Sequence, residues 1–83
     1  MENSRVAVIS IIIDNDDSVS ALNDILHRFA NYVIGRMGIP YREKNINIIS
    51  VAIDAPTDTI NELCGLIGRL DGVSAKATYS KSN

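Results

Sequence analysis

A six-residue pattern occurs twice in this chain. Ile9-Ser10-Ile11-Ile12-Ile13-Asp14 returns forty residues later as Ile49-Ser50-Val51-Ala52-Ile53-Asp54. Each copy is a run rich in β-branched residues, the type that favours strands. Each stops at an aspartate and leads into apolar residues at helical spacing. Two equivalent strand–helix units within 83 residues leave few architectures open.

The first strand is expected from Arg5 to Asp14. Asp14-Asn15-Asp16-Asp17-Ser18 supplies turn formers and N-caps, with negative charge where a helix N-terminus favours it. Val19, Leu22, Ile25, Leu26 and Phe29 form one apolar stripe, and that helix should end near Ala30-Asn31. Tyr32 to Pro40 reads as a second strand, with Gly35 and Gly38 as sites of bulging or close backbone approach. Tyr41 to Asn45 is a polar connection, and Ile46 to Asp54 is the third strand. Pro56 and Thr57 open the second helix, whose stripe is Ile60, Leu63, Cys64, Ile67 and Leu70. Asp71-Gly72 stops it. Val73 to Tyr79 is the last strand, and Ser80 to Asn83 should fray.

The order β-α-β-β-α-β predicts an α+β, ferredoxin-like sandwich in a single domain spanning residues 1–83. Its four-stranded antiparallel sheet should run 4-1-3-2, with both helices on one face. Strands one and three, richest in Ile and Val, take the centre. The alternating last strand suits an edge, where Lys76 discourages stray pairing.

Side chains alternate across a strand, so both copies of the repeat can be phased. Ile9, Ile11, Ile13, Ile49, Val51 and Ile53 should pack under the helices. The opposite face then carries Val6, Val8, Ser10 and Ile12 beside Ile46, Ile48, Ser50 and Ala52. That face is apolar too, whereas a sheet with one solvated face normally alternates. Patches of this kind mark interaction surfaces. The expected cover is a second copy of the chain, in a homodimer or homotetramer, with Gly35 and Met37 of the neighbouring strand at the same interface.

Composition excludes several functions. The net charge of −2 gives no general attraction to nucleic acid. RNA-binding sheets of this topology need exposed aromatics on their central strands, and strands one and three have none. No apolar run reaches the length of a membrane span. Met1-Glu2-Asn3-Ser4-Arg5 lacks the features of a signal peptide. A lone cysteine, Cys64, makes no internal disulfide, so a cytoplasmic setting is expected.

Catalysis finds no constellation. His27 is the only histidine and reads as a surface residue of the first helix; Cys64 lies in an apolar stripe, where a thiol acts as a small hydrophobe. One His and one Cys make no zinc or nickel site within a chain. Asp14, Asp16 and Asp17 lack the glycine and terminal glutamate of a calcium loop and read as helix caps. No phosphate loop or dinucleotide fingerprint is present. The expectation is a non-enzyme without cofactor or metal. The segment Ile34 to Arg42 retains interest, because its glycines permit close approach and Arg36 and Arg42 suit carboxylate or phosphate.

The run Tyr32-Val33-Ile34-Gly35-Arg36-Met37-Gly38-Ile39-Pro40-Tyr41-Arg42-Glu43-Lys44, then Ile48-Ile49-Ser50-Val51, Asp54-Ala55-Pro56 and Gly68-Arg69-Leu70-Asp71-Gly72-Val73, resembles the iron-only hydrogenase system regulator family. The resemblance extends from Arg5 to Lys81. It implies an ACT-like domain, similar to the C-terminal sensing domain of nickel-responsive transcription regulators. The first strand begins almost at Met1, so no ribbon-helix-helix segment is expected before it, and nickel ligands are missing. Direct nucleic-acid binding is therefore not carried over.

What the resemblance retains is an oligomeric regulatory module that senses a small-molecule effector or docks a regulatory protein partner. ACT-like domains commonly hold effectors between subunits near the turn after the first strand. The matching positions are Asp14, Asn15, Asp16 and Ser18, joined by Arg36 or Tyr41 of a neighbour. A structural module acting only through protein contacts is the alternative.

Overall fold

The computed structural model describes residues 4–81. Met1-Glu2-Asn3 of the leader reading, and Ser82 and Asn83 of the expected frayed tail, lie outside the described residues. Strand β1 (Ser4–Ile13) leads through a 3-10 turn (Asp16–Ser18) into helix α1 (Val19–Arg28). A second 3-10 turn (Ala30–Tyr32) precedes β2 (Val33–Tyr41), and a third (Arg42–Lys44) precedes β3 (Ile46–Pro56). Helix α2 (Thr57–Gly68) and β4 (Val73–Tyr79) complete the βαββαβ order.

The sheet is antiparallel throughout, in the order β2-β3-β1-β4, which is the expected 4-1-3-2 read from the opposite edge. The two copies of the repeat pair with each other: Ile9 lies opposite Val51, Ser10 opposite Ser50 and Ile11 opposite Ile49. Ile9, Ile11, Ile13, Val51 and Ile53 are fully enclosed, as are Leu22 of α1 and Ile60, Leu63 and Ile67 of α2. Burying each such side chain stabilises the fold by about 1.5–3 kcal/mol relative to exposure. Ala7 and Ala55 extend the same buried row towards the far end of the central pair.

Several boundaries differ from those expected, each for a local reason. Strand β3 does not stop at Asp54, because Ala55 pairs with Arg5 and Pro56 with Ser4. Pro56 is thus the residue before α2, with extended ψ of 148°, and Thr57 is the first helical residue. Helix α2 ends at Gly68, short of Asp71-Gly72; the left-handed Gly72, at φ 71°, shapes the turn into β4 instead. Helix α1 closes at Arg28, and the amide of Tyr32 returns to the Phe29 carbonyl in the following 3-10 turn. The hairpin between β2 and β3 tightens into a 3-10 turn ending on left-handed Asn45, at φ 58°.

The bulge expected in β2 is present as a register shift between Val33 and Gly35. The close approach expected at the glycines is not. A Cβ at Gly35 would meet nothing within 4 Å, and one at Gly38 would touch Ile49 Cγ1 at an ordinary 3.8 Å. At the other edge Arg5 Nη2 donates to the Ser80 carbonyl at 2.8 Å, and its guanidinium lies 4.7 Å from the Tyr79 ring centroid.

Candidate functional site

Both faces of the sheet carry aliphatic side chains, but only one is covered. Ile9, Ile11, Ile13, Val51 and Ile53 face the helices and are shut off from solvent, whereas Val6, Val8, Ile12 and Ile48 between them are 39–42% exposed. The β2 register places Met37 opposite Ser50, Ile39 opposite Ile48 and Tyr41 opposite Ile46, so these three extend the open face. Met37 and Ile39 are 63% and 53% exposed. One cross-strand row reads Ile39, Ile48, Ile12, Ser74; the next reads Met37, Ser50, Ser10, Lys76; a third reads Gly35, Ala52, Val8, Thr78. Asp54, paired with Val6, and Lys76 place charge at the margins. Ile39 belongs to this face although only Gly35 and Met37 of β2 were expected there. The signal was its spacing two residues beyond Met37.

The turn after β1 is held by groups far away in sequence. Asn15 Oδ1 accepts from the Asp17 amide at 3.0 Å, capping the 3-10 turn, while Asn15 Nδ2 donates to Asp71 Oδ2 at 2.7 Å. Ser18, buried, donates its hydroxyl to the Asp71 carbonyl at 2.6 Å and makes no side-chain cap on α1. The Asp14 amide donates to the Gly72 carbonyl at 2.7 Å. These contacts fasten the β1 end to the α2–β4 turn.

Asp16 faces a different neighbour. Its Oδ1 accepts from Asn47 Nδ2 at 3.1 Å, and the two residues line a hollow of about 180 Å³ together with Tyr41, Arg42 and Asn45. Of the six expected ligand residues, Asp16 and Tyr41 therefore share one hollow, Asn15 and Ser18 hold Asp71, and the Asp14 side chain is exposed. Arg36 lies elsewhere, on the helix-side face of β2, where it pairs with Val51. Its Nη2 donates to Asn23 Oδ1 of α1 at 3.1 Å.

That crossing spans a trough between α1 and the sheet edge. On one side is a hollow of about 340 Å³, with Leu26 and Val51 buried at its floor and Asn23, His27 and Arg36 exposed at its rim. On the other is a hollow of about 200 Å³ bordered by Ile13, Val19, Gly38 and Ile49, with Asn23 and Arg36 again at its boundary. Helical spacing puts Asn23 on the polar side of α1 and His27 at its surface; only the packing of α1 against β2 sets them beside Arg36.

Cys64 is half-buried on α2, and burial pushes its thiol pKa up, away from the nucleophilic thiolate. Among the described residues no group of three or more His, Cys, Asp or Glu side chains is placed to hold a metal ion. Among the described residues no helix is long and apolar enough to cross a membrane.

Residues 5–77 match the sequence profile of the TM1266-like family, described as "Iron-only hydrogenase system regulator, putative". The fold superposes on the solved structure of the uncharacterized protein TM1266 from Thermotoga maritima with a TM-score of 0.90 at 32% identity. That match covers 94% of this chain and 99% of the other. A formyltetrahydrofolate deformylase from Pseudomonas putida KT2440 matches at TM-score 0.64 and 14% identity, over 88% of this chain and 28% of its own, a likeness of fold alone. No curated protein matches the chain.

Proposed function

Because the chain belongs to the TM1266-like family of iron-only hydrogenase system regulators, we propose that it is a non-enzymatic regulatory domain whose open sheet face is completed by a second copy of itself. In this reading the assembly senses a small effector or docks a regulatory protein partner at the subunit boundary. The observation that carries it is the contrast between two faces of the same strands. Ile11 is fully enclosed and its neighbour Ile12 is 42% exposed, yet both are isoleucine. A solvated face selected for solubility would place polar residues at Val6, Val8, Ile12, Ile48, Met37 and Ile39.

A two-fold contact between copies uses the same patch twice and needs only a self-complementary surface. The aliphatic centre with charge at its margins, Asp54 and Lys76, fits that requirement. Regulation rather than catalysis is favoured by the sites themselves: the lone thiol is shifted towards its inert form, and the lone histidine is exposed on a helix. A single unpaired cysteine also fits a reducing cytoplasm.

For the effector, the β1–α1 turn and the β2 edge form the boundary region, with Asp16 and Tyr41 in one hollow and Arg36 at the next. Thermal unfolding against a panel of amino acids, nucleotides and carboxylic acids tests the sensing role, since a ligand of the native state raises the melting temperature with its concentration. Sensing predicts a dose-dependent rise for at least one class. A melting temperature indifferent to the whole panel leaves a module that works through protein contacts alone.

A further inference from the structure

We infer that the trough between α1 and β2 is a binding site for a small monocarboxylate with an aliphatic tail and no ammonium group. This inference rests on the sensing half of the proposed function and names its ligand; it does not depend on self-association. The larger hollow, about 340 Å³, falls within the size range of small-molecule sites, about 300–1,000 Å³.

Its walls divide by chemistry. Leu26 and Val51 are buried beneath it, and Ala30 and Val33 continue the apolar lining. Two of the polar groups meet where Arg36 reaches across to Asn23. The Asn23 carbonyl oxygen fixes one guanidinium N–H and leaves the remaining fork for a carboxylate, the planar partner that guanidinium pairs with in bidentate fashion. His27, one helical turn along α1 from Asn23, adds a further polar side chain to the lining. No carboxylate is among the described residues that line this hollow, so a bound ammonium group would find no counter-charge. One guanidinium balances one negative charge, and a dianion would carry an excess into a protein of net charge −2. The smaller hollow lined by Gly38 and Ile49 lies across the Arg36–Asn23 crossing, so a tail leading away from the guanidinium rests on Leu26, Ala30, Val33 and Val51.

The test is titration of the isotope-labelled full chain with sodium isocaproate, followed through backbone amide shifts. The expected result is saturable shifts centred on Asn23, His27, Ala30 and Arg36. Isocaproamide, acetate and L-leucine should each bind at least about tenfold more weakly, the scale of one lost charged hydrogen bond or its equivalent in apolar contact. Arg36→Gln, an exposed position where the fold should persist, should weaken isocaproate about tenfold while leaving the rest of the spectrum in place. Absence of saturation, equal binding of isocaproamide or L-leucine, or shifts confined to residues 14–18 and Tyr41 would overturn the assignment. Sedimentation of the same samples reads self-association separately, and a stabilising ligand from the thermal panel that leaves these amides unmoved would sustain sensing while removing this site.

Discussion

Gly72 turns its bare α-carbon towards Asn15: a Cβ placed on Gly72 would stand 2.8 Å from the Asn15 Cβ and 3.1 Å from the Asn15 amide nitrogen. The approach joins the turn after β1 to the turn before β4, two segments that the β1–β4 pairing draws to the same end of the sheet. The hydrogen bonds from Asn15 and Ser18 to Asp71 surround it. A side chain at residue 72 therefore has backbone, not a flexible tip, in its way.

Gly72→Ala combines that clash with a φ of 71°, which L-residues seldom adopt. The expected loss is about 1–3 kcal/mol, read as a lower urea midpoint with unchanged slope. Stability equal to that of the parent would show that the turn relaxes freely.

Adjacent isoleucines on β1 should respond differently. Ile11→Val removes a methylene from an enclosed site and should lower stability by about 1 kcal/mol. Ile12→Val, on the open face, should leave unfolding of the dilute chain nearly unchanged and weaken self-association instead. Denaturation at low concentration and sedimentation at high concentration separate the two effects.

Cys64 gives a pH dependence with a defined sign. Burial raises its folded pKa, so the folded state holds the proton at pH values where the unfolded chain has begun to release it. The stability this contributes is fully present below the ordinary thiol pKa and is lost as pH rises through the elevated folded value. Above about pH 8.5 the urea midpoint should fall more steeply for the parent than for Cys64→Ala. Alkylation by iodoacetamide should correspondingly be slower in the folded chain than in urea.

The sheet order and the facing of the central strands are legible in the sequence because a strand's period of two leaves one phase that buries Ile9, Ile11 and Ile13 together with Ile49, Val51 and Ile53. The spare aliphatic face follows from the same phasing. Boundaries were less legible where pairing overrode local preference: Pro56 looks like a helix opener, yet the reach of β1 to Ser4 keeps it in the strand. Asn15 and Ser18 look like caps because capping is local, whereas their bonds to Asp71 exist only once β1 and β4 are neighbours. The α1–β2 trough is a matter of tertiary spacing. Asn23 and His27 stand more than eight residues from Arg36 along the chain, and no short pattern links them.

If a second copy completes the open sheet face, self-association is read plainly by sedimentation at micromolar concentrations. The parent chain should sediment well above the 9.0 kDa of one copy. Ile48→Lys, which places a charge at an exposed position in the middle of the face, should return it to 9.0 kDa with its circular dichroism retained. A parent chain that sediments only as the 9.0 kDa species would show that no second copy covers the face.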